Sequence, residues 1–234
     1  MKLIFQSKSD LAEFSLKWLT ARVKEIPDDK FFTIALPGGT TPKQLFEQLA
    51  SHGNKVPIWN KILFFWGDER CVSPESGDSN YLMARSYLEK LQIPKEHIFR
   101  IHGEDDPIEE AHRYNRILSE NISSENGLPR FNLILLGLGK DGHTASIFPG
   151  NTKLFKSQNF CEAVKHPKTG QQRITLTGTV INNAKDVAFL VSGAGKAEII
   201  SKVINKDISD YPASLVCPVH GRLTWLLDKE AASK

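Results

Sequence analysis

The stretch Phe131-Asn-Leu-Ile-Leu-Leu-Gly-Leu-Gly-Lys-Asp-Gly-His-Thr-Ala-Ser-Ile-Phe-Pro149 joins a short apolar run to a glycine-rich polar loop. Leu133 to Leu136 has the length and Leu/Ile content of a strand buried on both faces, which points to a parallel sheet. The run ends at Gly137, Gly139 and Gly142, so a buried strand delivers a polar turn. That turn carries Asp141 and, two residues on, His143, a carboxylate beside the one side chain type that ordinarily titrates near neutral pH. The pair is a candidate base, and the loop is the candidate reacting centre.

The same glycines spell G-x-G-x-x-G after a strand, the pattern of a dinucleotide fingerprint. That fingerprint needs a long helix opening at its third glycine, because the helix N-terminus holds the pyrophosphate. Here Pro149-Gly150 closes the segment seven residues after Gly142. The nucleotide reading therefore lacks its helix.

Other apolar runs end in the same way. Phe31 to Leu36 is followed by Pro37-Gly-Gly-Thr-Thr-Pro42 and a helix expected from about Lys43 to Ala50, with Thr41 as N-cap and Pro42 at the first helical position. Free amides of Gly38 and Gly39, flanked by the Thr40 and Thr41 hydroxyls, make an anion site; a plain tight turn is the structural alternative for paired glycines. Ile62 to Trp66 empties into Gly67-Asp-Glu-Arg-Cys-Val-Ser-Pro74, which puts Asp68, Glu69 and Arg70 where open α/β sheets place their ligands. The planar fork of Arg70 suits a pair of phosphate oxygens, against the alternative of an ion pair that caps the loop. Val187 to Val191 ends in Ser192-Gly-Ala-Gly-Lys196, and Lys196 falls in the first turn of a helix, where the dipole disfavours a cation unless it faces an anion. The alternative is a solvated surface lysine.

The remaining elements complete the alternation. Lys2 to Gln6 reads as a strand, Ser9-Asp10 as the cap of the next helix, Ser79-Asn80 as the start of a helix to about Leu91, and Ile98 to Ile101 as a strand. Asp105-Asp106-Pro107 starts a helix that runs into a polar, disorder-like Ser119 to Gly127. The acids from Glu104 to Glu110 read as helix-terminus carboxylates rather than metal ligands. Phe160 to Val164 and Arg173 to Thr177 read as strands about a turn, Gly178 to Ala184 as a short helix, Leu223 to Leu227 as a last strand and the tail from Asp228 as a short exposed helix. Strands that alternate with helices imply a doubly wound, predominantly parallel α/β sheet with helices on both faces. If the four polar loops share one sheet edge, they surround a single crevice. With no internal repeat, low-complexity tract or linker, residues 1–234 read as one domain.

At 234 residues and 40% hydrophobic, the chain is long enough for a substantial core. Its net charge of +3, from 30 basic and 27 acidic residues without long runs, requires neither nucleic acid nor a membrane as partner. Cys71, Cys161 and Cys217 are odd in number and widely spaced, which fits reduced thiols better than disulfides or a zinc site. Without a signal-peptide core or a membrane-length apolar run, the expected location is the cytoplasm.

Five blocks in order resemble the 6-phosphogluconolactonase family: Leu36-Pro-Gly-Gly-Thr-Thr-Pro42; Trp66-Gly-Asp-Glu-Arg-Cys-Val72 with Ser79-Asn80; Gly137 through Gly150; Arg173-Ile-Thr-Leu-Thr177; and Gly193-Ala-Gly-Lys196. These hydrolases of the oxidative pentose phosphate pathway share a Rossmann-like fold with glucosamine-6-phosphate deaminases. The deaminases are expected to carry a glutamate five residues after the histidine, where this chain has Phe148. The resemblance implies hydrolysis of 6-phospho-D-glucono-1,5-lactone, with His143 as general base and no metal or other cofactor. Whether Asp141 orients the imidazole is left open. By the same resemblance Arg70, Lys196 and the Gly38-Gly39 amides, with Thr40, hold the 6-phosphate, and Arg173 joins them or neutralises the oxyanion. These cations can exchange roles. Asp68 either accepts from sugar hydroxyls or orients Arg70. Ser146 lacks the G-x-S-x-G turn of a nucleophile. The expected partner is the small sugar-phosphate lactone, and the expected state a monomer or weak homo-oligomer. The rival readings are a sugar-phosphate deaminase or isomerase and a non-catalytic sugar-phosphate-binding protein.

Overall fold

A computed structural model describes residues 1–52, 58–205 and 210–234. In chain order its elements are β1 (Lys2–Phe5), α1 (Lys8–Lys24), β2 (Phe32–Leu36), α2 (Thr40–His52), β3 (Ile62–Trp66), β4 (Asp68–Arg70), α3 (Asn80–Lys90), β5 (Ile98–Phe99) and α4 (Pro107–Asn121). They continue with β6 (Ser124–Glu125), β7 (Leu128–Pro129), β8 (Leu133–Leu136), β9 (Cys161–Lys165), β10 (Gln172–Leu176), α5 (Gly178–Ile181), β11 (Asp186–Val191), α6 (Ala197–Ile204) and β12 (Arg222–Asp228).

Seven strands form one sheet in the order β1-β12-β11-β8-β2-β3-β5, and every pairing in it is parallel. The inner strands β2, β3, β8 and β11 are buried at every residue, as strands covered on both faces must be. The chain steps outward from β2 through β3 to β5, then returns on the other side of β2 through β8, β11 and β12. With right-handed crossovers this reversal puts α1, α2 and α3 on one face, where they pack in succession, and the later helices on the other. The doubly wound parallel sheet expected from the alternation is therefore present. Its core includes Phe65 stacked on Phe99 with centroids 4.8 Å apart and Phe189 stacked on Trp225 at 4.1 Å. Such pairs contribute about 1 kcal/mol each beyond the area they bury.

The order reverses between β2 and β8. There the ladder is short, with only Ile34 opposite Leu133 and Ala35 opposite Ile134. Beyond that register the two strands part, and the loops after β2 and β8 open a crevice at the switch point.

A second sheet was not evident in the sequence. Asp68–Arg70, expected as loop, is strand β4 and pairs antiparallel with β10, which pairs antiparallel with β9. Other local readings also change. Ser7, not Ser9, caps α1, its side chain accepting from the Asp10 amide at 3.1 Å. Helix α2 starts at Thr40, so Thr41 lies inside it instead of capping it, and its Oγ1 is 2.8 Å from Ser192 Oγ. The supposedly disordered Ser119–Gly127 contains the end of α4 and the start of the hairpin β6–β7. Its turn residues Asn126 and Gly127 both have positive φ, +56° and +77°, the conformation that an Asn-Gly hairpin turn supplies. The C-terminal tail forms a turn rather than an exposed helix; the Ala231 amide donates to Asp228 Oδ1 and the Ala231 side chain is buried.

Candidate active site

The four neighbouring strands β11, β8, β2 and β3 send their C-terminal loops to one cavity of about 300 Å³. Gly38 and Gly39 come from the loop after β2, Asp68 and Arg70 from β4, His143 from the loop after β8, Arg173 from β10 and Lys196 from the segment after β11. All seven were singled out in the sequence. Thr40 opens α2, and its side chain lies outside the described residues.

The loop after β8 is drawn tight by its own backbone. The Gly139 amide donates to the His143 carbonyl at 2.8 Å, the Gly142 amide to the Gly139 carbonyl at 3.1 Å, and Thr144 Oγ1 to the Gly137 carbonyl at 2.9 Å. No helix follows Gly142, as expected from the proline. In this loop His143 Nδ1 lies 2.5 Å from Asp141 Oδ1, and the same oxygen accepts from the His143 amide at 3.3 Å. The sequence left this contact open. Burial alone would raise the Asp141 carboxyl, but the charge of His143 and its hydrogen bonds outweigh burial and hold the group below the usual carboxylate range. An ionised Asp141 accepts from Nδ1–H and so leaves Nε2 as the imidazole's free acceptor. A Cβ on Gly139 would overlap both His143 Nδ1 and Asp141 Oδ1, so glycine is required for the contact to form.

Phe148 is 2% exposed and packs its ring 5.0 Å from the His143 ring. The Phe148 ring also meets that of His166, ring centroids 4.8 Å apart. Burial, then the charges of Arg173 and His143, lower His166 from its ordinary value. Ser146 is fully buried and donates to Asp68 Oδ2 at 2.6 Å, so its hydroxyl is no free nucleophile.

Arg70, Arg173, Lys140 and Lys196 make the rest of the lining cationic. Arg70 and Arg173 are direct partners across the β4–β10 ladder. Arg70 Nη1 donates to the Asp78 carbonyl and Arg173 Nη2 to Gln171 Oε1 at 2.8 Å, yet the Nε of each is buried without a partner among the described residues. The Arg173 guanidinium stands 5.9 Å over the Phe148 ring, and burial followed by the charge of Arg70 lowers its proton affinity. Lys196 Nζ donates to the Leu138 carbonyl at 2.6 Å. Burial and then the charge of Lys140 lower Lys196 as well.

Among the described residues Asp68 makes no hydrogen bond or ion pair with Arg70. It is 6% exposed, takes the Ser146 hydroxyl on Oδ2 and the Asn80 amide at 3.3 Å on Oδ1, and thereby ties β4 to the loop after β8 and to α3. Glu69 is the residue that caps: it accepts from the amides of Arg70, Asn80 and Tyr81 and from Ser79 Oγ, which fixes the start of α3. Lys140 was not singled out in the sequence, and Asn80 was read there only as part of a helix start and a family block. Lys140 sits among the loop glycines, a position that signals proximity to the site. Asn80 occupies the space a Gly38 side chain would need, a relation with no local signal.

Away from the cavity, single ligand atoms of His102, Asp105 and Glu110 lie within 4.8 Å of one another. The Glu110 carboxylate is already engaged by Arg113 at 2.5 and 2.7 Å and by the His102 amide at 2.7 Å. This agrees with the structural role expected for these acids. Among the described residues no helix is long and apolar enough to cross a membrane.

Residues 6–225 match the profile of the family described as glucosamine-6-phosphate isomerases/6-phosphogluconolactonase. The 6-phosphogluconolactonase of Synechocystis is 42% identical over 231 residues, covering 96% of this chain and 94% of the relative. That of Treponema pallidum is 36% identical over 231 residues, covering 98% and 91%. The solved 6-phosphogluconolactonase of Trypanosoma brucei superposes with a TM-score of 0.89 at 28% identity, covering 100% of this chain and 97% of that one. Sequence and architecture agree: the chain belongs to the glucosamine-6-phosphate isomerase/6-phosphogluconolactonase family.

Proposed function

We propose that this protein hydrolyses 6-phospho-D-glucono-1,5-lactone to 6-phospho-D-gluconate, with residues 1–234 acting as one lactonase domain. Identity to named 6-phosphogluconolactonases over nearly the whole chain supports the substrate. The observation that carries the chemistry is the His143–Asp141 contact in a cavity lined by Arg70, Arg173, Lys140 and Lys196.

In this reading Asp141 holds the Nδ1–H tautomer, and Nε2 takes a proton from water as its oxygen bonds to C1 of the lactone. The carbonyl electrons become an oxyanion, which a preorganised cation stabilises. Collapse breaks the C1–O5 bond, and the imidazolium returns its proton to O5, leaving an acid and a free 5-hydroxyl. Arg173 suits the oxyanion because it stands over Phe148, the ring that touches His143. Arg70 and Lys196, with the Gly38 and Gly39 amides and Thr40, then hold the 6-phosphate. Asp68 organises the loop and offers its remaining lone pairs to sugar hydroxyls. No metal or other cofactor is needed, since a six-membered lactone is already electrophilic.

The buried, uncharged ring of Phe148 beside His143 disfavours deamination, which by the family resemblance calls for a carboxylate there. The free thiols Cys71, Cys161 and Cys217 fit a reducing cytoplasm. We expect a monomer or weak homo-oligomer there. Hydrolysis of freshly generated lactone, measured against the spontaneous rate with EDTA present, tests the reading. Acceleration that survives EDTA is expected; binding of phosphogluconate without acceleration would overturn it.

A further inference from the structure

The crevice does not end at Arg70. A second chamber of about 440 Å³ continues from it between α2 and α3, and Gly39, Arg70 and Asn80 line both spaces. Its other lining includes Lys43, Ser79, Met83 and Ser86, with no carboxylate among the described residues. Three acids stand just outside the lining; Asp78, between Gly77 and Ser79, gives its carbonyl to Arg70 Nη1. Glu69 receives the amides that open α3, and Glu47 accepts from the Tyr87 hydroxyl at 3.2 Å. Two cations, Lys43 and Arg70, therefore face a space without a counter-charge of its own in the lining.

Ring opening changes what the crevice must hold. In the lactone the C1–O5 bond keeps the phosphate arm close to C1. Hydrolysis breaks that bond, lets the six-carbon chain extend and adds a carboxylate, so the product is longer than the substrate and more negatively charged. Its carboxylate forms beside His143 and Arg173; its phosphate arm is released toward Arg70, the cation that lines both chambers. We propose that the second chamber is a product subsite, in which Lys43 receives the phosphate of the ring-opened acid after it moves past Arg70. This rests on the lactonase reading above.

The test compares product with substrate in Lys43→Met, which keeps the stem and removes the charge. The dissociation constant of 6-phosphogluconate, measured by calorimetry, should weaken about fivefold, the value of one partly exposed charge contact. Meanwhile kcat and KM for the lactone should stay near wild type, and Lys43→Arg should restore product affinity. Unchanged product affinity, or an equal loss for lactone and product, would overturn the proposal. Absence of lactonase turnover would instead overturn the functional reading, while the calorimetric comparison would still decide whether Lys43 holds the acid.

Discussion

The wall of the crevice made by the loop after β8 and the wall made by β4 and β10 satisfy their polar groups in opposite ways. On the first, Asp141, His143, Thr144 and the glycine amides are hydrogen-bonded within the loop. On the second, two arginines face each other across a ladder, and each keeps a buried Nε without a partner among the described residues. Like charges directly opposite on a sheet are destabilising, so the second wall stores a cost that an anion would relieve. A base must be aimed before substrate arrives, whereas a phosphate or oxyanion site gains by leaving donors for its ligand.

The largest effect should come from the finished wall. His143→Ala should lower kcat by about 10²–10⁴-fold with KM near wild type, because it removes proton transfer and leaves the cations in place. A steady-state assay giving near wild-type kcat would refute the base assignment. Gly139→Ala probes the same wall without touching a reacting group: its Cβ must displace the imidazole or the Asp141 carboxylate, and a shift of about 1 Å costs on the order of 10²-fold in kcat. If Gly139→Ala folds normally and keeps full kcat, the close contact is not what aims the base.

The cationic wall should respond in KM. Lys196→Ala should raise KM for the phosphorylated lactone by about 10–100-fold, the value of one charge-assisted hydrogen bond, and erase the preference over unphosphorylated gluconolactone. Unchanged discrimination would remove Lys196 from the phosphate site. Arg173→Met separates function from stability. It should weaken turnover but relieve the repulsion with Arg70, a gain of up to about 1 kcal/mol. In a domain of this size that is a rise in Tm of about 2–4 °C. A fall in Tm would show that the pair is held by its surroundings at no net cost.

Legibility in the sequence followed the same division. The β3 run Ile62–Trp66 and the β8 run Leu133–Leu136 announced themselves because buried parallel strands need continuous apolar residues. The charged triplet after Gly67 and the glycines after Leu136 marked the crevice, and Ser79 and Asp106 marked helix starts through side chains that accept nearby amides. The second sheet was hidden because β4 is the polar triplet Asp68–Arg70, and its partner β10 lies far along the chain. The work of Glu69 was hidden for a like reason, since one of the amides it receives belongs to Asn80, 11 residues on. Asp68 looked like a partner for Arg70 from adjacency, yet the hydroxyl that its Oδ2 accepts comes from Ser146, 78 residues away. Contacts made by one side chain across such separations leave no periodic trace.

The smallest effect tests how the two walls meet. Lys196 is anchored on the Leu138 carbonyl of the loop after β8, but its charge serves the cationic wall. Burial lowers its proton affinity first, the positive charge of Lys140 lowers it further, and Asp141 opposes both. As pH rises, Lys196 therefore loses its proton below the ordinary lysine value of 10.5, and affinity for a phosphate falls with it. KM in the wild type should start to climb on the alkaline side before an unperturbed lysine would titrate. Lys140→Met removes the repulsion between the two cations, so the alkaline limb of KM should move to higher pH while burial keeps it below 10.5. Because Lys140 also lines the cavity, KM at neutral pH should rise modestly in the same variant. A limb that stays in place, or moves to lower pH, would show that Lys196 is titrated by burial alone and that the two lysines act on the phosphate independently.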